Sequence, residues 1–514
     1  MPAPLAGDVR SIEGVRRLIA SGALAAALLV PAGAAASPVL VLDGDRVERR
    51  DDPRIPALDL PAPPPSASAQ LRSARIRAAQ DPKRTVRGEL ARLLAEGRID
   101  QAMHDSHRAT YNLARKSYKK ITGARKLGLG GALENAELIA ATGELTPSRL
   151  PAVFLTVARN RQWWTTGTLL SNGQRVEFSG SEVVWQNYTG QGIQIQVLGS
   201  FGKANGLWAA KDDEELRVLL DEMLAVASDR GGVMAFEYLF RFGGGSPPWA
   251  SGMAQATGVQ ALARASERLG EPAYREAAIR ALNLFETPAP VGVRADGATG
   301  PHYLLYSFAP ELRVYNGFLQ SVNGLRDAAA ITGDPRATGL ANAGDSAARA
   351  DAALHDTGAW SLYSTGTDPA AGRESTLHYH RLVIEFLENL CKKTSAPEYC
   401  GTAERFTGYL DVAPIVRPLT KRVRAGKPVN LRFVLSKVSR VRLQVVDASG
   451  RVIATRTGSA GYGKRFFTWT PSKAGTFELR ATATDLAGNA SEERTIPLEV
   501  LPAKPPRKPS ATRR

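Results

Sequence analysis

Apolar residues recur at helical spacing from about Arg87, where Arg87-Gly88-Glu89-Leu90-Ala91-Arg92-Leu93-Leu94 opens a series of helical patterns that runs to Asn160. Thr146-Pro147-Ser148 marks a helix start within it. The texture changes between Thr165 and about Phe201. There Val176, Phe178, Val183, Trp185, Tyr188, Ile193, Ile195 and Val197 fall on alternating or short apolar runs, and Ser171-Asn172-Gly173 offers a turn. A small β-rich insertion is predicted at about 165–201. Helical spacing resumes from Asp213 to about Tyr409, interrupted at Gly243-Gly244-Gly245-Ser246-Pro247-Pro248, Glu286-Thr287-Pro288 and Thr332-Gly333-Asp334-Pro335. Amphipathic helix pairs that repeat about every 50 residues, with long connecting loops, predict an (α/α) toroid or barrel over 86–410 whose loops gather into a cleft. A plain helical repeat is the alternative.

From Asp411 the pattern turns to strands, at Val429–Val434, Val441–Val446 and Phe477–Ala483, separated or ended by the turn signals Asp447-Ala448-Ser449-Gly450 and Leu486-Ala487-Gly488-Asn489. This spacing predicts a C-terminal immunoglobulin-like β-sandwich over 411–502. The chain is therefore read as multidomain and mainly α. Residues 37–85, rich in Pro, Ala, Arg and Asp around Pro61-Ala62-Pro63-Pro64-Pro65, read as a disordered linker. Residues 503–514 read as a flexible basic tail, since Lys504 to Arg514 holds five basic and no acidic residues.

Arg10, Arg16 and Arg17 precede an uncharged run from Leu18 to Val30 and then Pro31-Ala32-Gly33-Ala34-Ala35-Ala36-Ser37, the pattern of a signal peptide over residues 1–36. The run is short for a membrane span and no later segment is apolar enough, so a secreted or cell-envelope protein without a stable membrane span after cleavage is expected. In such a compartment Cys391 and Cys400, the only two cysteines, are expected to close a loop by a disulfide, with two free thiols as the alternative. Lys plus Arg outnumber Asp plus Glu by 66 to 50, giving a net charge of +16 that favours polyanionic partners without choosing among them. Arginine use and basic ends alone would also give this balance. Phosphate-cradling glycine loops, a Gly-x-Ser-x-Gly elbow and His-Glu-x-x-His do not occur, which leaves nucleotide-driven and zinc-protease readings with little support.

Four separated motifs carry a more specific signal. They are Trp249-Ala250-Ser251-Gly252-Met253-Ala254-Gln255; Tyr303-Leu304-Leu305-Tyr306 followed by Asn316-Gly317-Phe318; Gly324-Leu325-Arg326-Asp327 with Thr332-Gly333-Asp334; and Asp356-Thr357-Gly358 with Tyr363, followed by His378-Tyr379-His380. In order and spacing this stretch, Trp249 to Leu390, resembles the C-terminal domain of the D-glucuronyl C5-epimerase family. The resemblance implies an (α/α) barrel beside a β-rich region, and inversion at carbon 5 of a glucuronic acid unit within a polysaccharide. It implies an acidic, uronic-acid polysaccharide as partner, no nucleic acid and no cofactor.

In that chemistry one group removes a weakly acidic C5 proton and another returns a proton to the opposite face. Carried across residue by residue, the family's catalytic Glu-Tyr pair corresponds to Leu305-Tyr306, so the tyrosine is kept and the carboxylate is absent. The tyrosine after Asp-Thr-Gly is kept as Tyr363, while Thr376 stands where a further catalytic tyrosine is expected. The catalytic candidates are thus Tyr306 and Tyr363, assisted by Tyr379 or His380. Arg313 is the candidate for holding a uronate carboxylate, and Trp249 for stacking on a sugar ring. Asn316, Gln255 and His378 complete the substrate-binding candidates, with Asn316-Gly317 also readable as a backbone device. His378 and His380, two apart, would share one face of an extended segment. No metal site is expected, because spacing suggests no third ligand.

Overall fold

The computed structural model describes residues 38–51 and 84–504. The expected signal peptide, residues 52–83 of the expected linker and residues 505–514 of the tail lie outside the described residues.

The first elements are a hairpin of β1 (Pro38–Asp43) and β2 (Arg46–Asp51), where a disordered linker was expected. The Pro- and Arg-rich surroundings hide Val39-Leu40-Val41-Leu42, and this run buries Val39 and Leu42 once a sheet is available to it. Helices α1 (Val86–Ala95), α2 (Gln101–Lys120), α3 (Gly123–Ala141) and α4 (Leu150–Thr166) follow. Thr85 caps α1 by accepting from the Gly88 N–H at 3.1 Å, and Asp100 caps α2 by accepting from the Met103 N–H at 2.7 Å. The β-rich insertion contributes β3 (Arg175–Phe178), β4 (Trp185–Tyr188) and β5 (Gly192–Ile195). With the hairpin they form one sheet ordered β2-β1-β3-β4-β5, in which β1 runs parallel to β3 and Val39 stands opposite Arg175. Every residue of β3, β4 and β5 is buried, and α3 and α4 pack on β5.

The longer remaining helices are α5 (Val197–Ala210), α6 (Asp213–Ala225), α7 (Gly252–Leu269), α8 (Pro272–Ala281), α9 (Tyr315–Thr332), α10 (Pro335–Asp351), α11 (Leu377–Thr394) and α12 (Pro397–Gly408). Helices α5, α7, α9 and α11 lie side by side as an inner layer, and α6, α8, α10 and α12 each pack behind the preceding inner helix. This is the α/α layering that the helix-pair pattern predicts. Small residues set the close approach: a Cβ on Gly324 of α9 would stand 2.5 Å from the Ala256 carbonyl oxygen of α7. Cys391 and Cys400 are disulfide-bonded and tie α11 to α12. Between helices, β6 (Leu312–Val314) pairs antiparallel with β7 (Ser364–Gly366).

The C-terminal strands are β8 (Val416–Pro418), β9 (Arg422–Arg424), β10 (Val429–Leu435), β11 (Ser439–Val446), β12 (Val452–Ala460), β13 (Gly463–Trp469), β14 (Gly475–Asp485) and β15 (Arg494–Leu501). They form two sheets, β8-β10-β13 and β9-β15-β14-β11-β12. Alternate residues such as Leu431, Phe433, Val441, Leu443, Leu479 and Leu498 meet in one shared core. This unit is fixed to the helices. The Lys437 ammonium is buried against Asp485 at 2.6 Å, donates to the Tyr409 carbonyl at 2.8 Å and lies 5.3 Å from the Trp360 ring centroid. Glu374, in the loop before α11, accepts from the N–H groups of Val438 and Tyr462, each at 2.6 Å.

Candidate functional site

Segments from both halves of the helical region converge where α7 begins. Trp249 and Ala250 pair with Tyr238 and Glu237, and Ser251 then caps α7 by accepting from the Ala254 N–H at 3.3 Å. Gly252 admits a close crossing: its N–H donates to the Leu304 carbonyl at 2.8 Å, and a Cβ there would stand 2.7 Å from that oxygen. Ser307 secures the crossing segment, its N–H donating to the Ala250 carbonyl at 2.9 Å and its Oγ accepting from the Ala250 N–H at 3.1 Å. Between those two anchors Leu305 and Tyr306 are turned into a buried cavity.

Tyr363 reaches Tyr306 from the residue before β7. Its N–H donates to the Arg373 carbonyl at 2.7 Å, its carbonyl accepts from the Tyr315 N–H at 3.1 Å, and its hydroxyl lies 3.5 Å from that of Tyr306. Tyr379 sits in the first turn of α11, where Thr376 is the cap and accepts from the Tyr379 N–H at 3.3 Å. The rings of Tyr363 and Tyr379 are 5.1 Å apart, and Tyr379 lines the same cavity. Three tyrosines far apart in sequence therefore meet, while Thr376, at the position of the missing tyrosine, serves the helix end.

The void lined by Tyr306 and Tyr379 is about 30 Å³, room for about one water molecule. Its wall is aromatic. Trp249 stacks on Tyr238 at 4.2 Å between centroids and meets Phe242 and Tyr306 at 5.8 and 5.9 Å, while its indole N–H is spent on the Phe240 carbonyl at 2.8 Å. Asn316, at the start of α9, lines the cavity, and its Oδ1 has no hydrogen-bond partner. The far side comes from outside the four motifs. Gln196 bridges two further tyrosines, donating to the Tyr188 hydroxyl at 2.9 Å and accepting from the Tyr238 hydroxyl at 3.1 Å. Burial drives four of these phenols toward the neutral form: Tyr363 and Tyr188 are pushed up to about 12, Tyr238 is raised further, and Tyr306, with Tyr363 and Tyr379 beside it, lies well above the usual phenol value. Trp249 also borders an open cleft of about 910 Å³ lined by Arg98, Glu144, Arg149, Asp229 and Arg230 among others.

Several expected site residues lie elsewhere. Arg313 falls between the buried Leu312 and Val314 of β6, so strand alternation turns it away, and it donates to the Asp296 carbonyl at 3.3 Å. Gln255 is used by the backbone, donating to the Met234 and Ala281 carbonyls at 2.9 and 3.0 Å and accepting from the Phe236 N–H at 3.2 Å. His378 and His380 are helical, not extended, so residues two apart point to different sides. His380 is fully buried behind the cavity wall, stacked on Trp360 at 3.8 Å, with Ser361 Oγ at 2.8 Å and the Phe406 carbonyl at 2.9 Å from its nitrogens. His378 is half-buried, its ring 5.7 Å from that of Tyr379. Tyr188, Gln196 and Tyr238 were not singled out from the sequence as site residues. The sequence carries Tyr188 as a strand position and gives no signal for the other two.

Among solved structures, the chain is similar to cellobiose 2-epimerase from Bacillus thermoamylovorans B4167, at 10% identity over 56% of this chain and 74% of that one, with a TM-score of 0.34. It is also similar to the endo-beta-1,4-glucanase CMCax from Acetobacter xylinum, at 12% identity over 43% and 71%, with a TM-score of 0.33. Fibronectin(III)-like modules of Clostridium thermocellum CbhA align at 23% identity over 18% of this chain and 100% of theirs, with a TM-score of 0.14. No curated protein matches. The family model for the D-glucuronyl C5-epimerase C-terminus matches residues 229–408. The segment that brings Trp249, Tyr306, Tyr363 and Tyr379 together lies within the residues matched by the D-glucuronyl C5-epimerase C-terminus model.

Proposed function

We propose that this is an exported D-glucuronyl C5-epimerase-like protein that acts on a uronic-acid-containing polysaccharide by removing and returning the proton at C5. One observation carries the reading: within the family-matched segment Tyr306 and Tyr379 line one cavity, and the Tyr363 hydroxyl stands 3.5 Å from that of Tyr306 with its ring 5.1 Å from that of Tyr379. In the Tyr306–Tyr363 pair one phenol, once ionised, can take the C5 proton while the other, neutral, supplies a proton. Tyr379 supplies a third phenol beside Tyr363. The void holds about one water, so a sugar ring enters only with a rearrangement of the cavity wall. The open cleft sharing Trp249 offers a path for the flanking polymer. Export rests on the N-terminal pattern, and an immunoglobulin-like role for the C-terminal unit on its two facing sheets.

A second reading has its own observation. Leu305 lines the cavity where the family carries a carboxylate, which favours a protein that holds an acidic glycan without turning it over. Incubation in deuterated water with uronic-acid polysaccharides, followed by NMR at C5, separates the two. Deuterium at C5 is expected. A glycan that binds without exchange would give the binding protein, and an ultraviolet-absorbing unsaturated product would give a lyase.

A further inference from the structure

Behind the far wall of the tyrosine cavity lies a guanidinium whose Nη1 and Nη2 have no hydrogen-bond partner among the described residues. It belongs to Arg175, at the start of β3, which is 3% exposed. Glu177, the acid nearest in sequence on the same strand face, is taken by Lys203 at 2.9 Å and by Arg50. The groups that feel the Arg175 charge are instead the hydroxyls of Tyr188 and Tyr238, both cavity-lining. A buried cation without a counter-ion is costly, and it persists where an anion is received.

Its position sharpens the point. Nη1 lies 2.6 Å from where a Cβ on Gly199 would stand, so the guanidinium occupies space left open in the first turn of α5. That turn is the positive end of a 14-residue helix, where a second positive charge is unfavourable and an anion is favoured. The Leu198 N–H there donates to the Tyr238 hydroxyl at 3.2 Å, and Gln196, the cap, holds both tyrosines. The unpartnered Arg175 fork thus lies against the first turn of α5, whose Leu198 N–H and cap residue Gln196 hold the two cavity-lining phenols.

We propose that Arg175, the first turn of α5 and the hydroxyls of Tyr188 and Tyr238 form a carboxylate seat for the ligand of the tyrosine cavity. This rests on the reading above and deepens it: the carboxylate of the uronic acid unit enters on the Arg175 side, and C5, one bond away, faces Tyr306, Tyr363 and Tyr379. Arg175 is then the residue that makes the site select an acid sugar over a neutral one. Planar, two-pronged contact from a guanidinium suits a carboxylate, and Arg313 is not placed to supply it.

The test compares binding of a glucuronate-containing oligosaccharide with binding of its carboxyl methyl ester, to the wild-type protein and to Arg175→Met, by calorimetry. The wild type is expected to prefer the acid at least tenfold, and Arg175→Met to bind acid and ester alike. Unliganded Arg175→Met is expected to melt at or above the wild-type temperature, because it loses an unpaired buried charge. Retained preference for the acid in the variant, or no preference in the wild type, overturns the proposal. So does a variant that melts well below the wild type, which would make Arg175 a structural residue. Exchange at C5, measured alongside, separates the failures. Charge-selective binding without exchange sinks only the epimerase reading, and undiminished exchange in Arg175→Met sinks only the carboxylate seat.

Discussion

Tyr363 held near 12 by burial has a kinetic consequence, because a phenol removes a proton only in its ionised form. Between about pH 7 and 9 that form grows about tenfold per pH unit, so C5 exchange should rise with a slope near +1 in log rate. A flat profile, read by NMR at constant glycan, would assign the base elsewhere. Tyr306→Phe and Tyr363→Phe should each lower exchange by about 10²-fold or more while leaving the melting temperature nearly unchanged, since the ring packing is kept. Histidines set the acid side of stability. Burial depresses His355 and His380 to about 4, below the unfolded value of about 6.5, so each binds a proton more readily in the unfolded chain. Their contribution is complete above about pH 6.5 and is lost toward pH 4, on the order of 3 kcal/mol each, visible as a falling melting temperature in acid. At this scale the motifs singled out Tyr306 and Tyr363, whose hydroxyls the fold brings within 3.5 Å of each other. Arg175 was not, because an arginine in a strand shows its missing partner only after the chain has folded.

Among elements, the long amphipathic helices and the C-terminal strands were legible because period and turn signals agree over many residues. The hairpin at Pro38–Asp51 was not, since composition spoke for disorder while a distant strand supplied its partner. His378 and His380 were read on an extended segment, whereas they lie in the first turn of α11, whose threonine cap Thr376 was present in the sequence. Two elements give direct tests. Gly324→Ala drives a Cβ against the Ala256 carbonyl and should cost about 1–3 kcal/mol by separating α7 from α9, measured by denaturant unfolding. Reduction of Cys391–Cys400, which closes a separation of 9 residues, should cost about 2.5 kcal/mol if loop entropy dominates.

At the level of the molecule, the loop that carries Tyr363 is held on one side by the inner helices and on the other by the C-terminal β unit, through Glu374 and through Lys437 over Trp360. Lys437→Met leaves Asp485 buried without its cation and should cost about 3–5 kcal/mol, checked by calorimetric melting. No period or motif announces such a junction, since its partners lie in separate segments. The hairpin at the other end of the molecule has a different consequence. β2 reads Arg46-Val47-Glu48-Arg49-Arg50-Asp51 and is the outermost strand of its sheet, with charged side chains at five of six positions. Such an edge repels a second strand, whereas β3 beneath it is wholly buried and carries Val176 and Phe178. The hairpin is thus a solubility device: a chain lacking residues 38–51 would bare β3 as a sticky edge and should form higher-order aggregates, detected by light scattering at concentrations where the full chain stays clear.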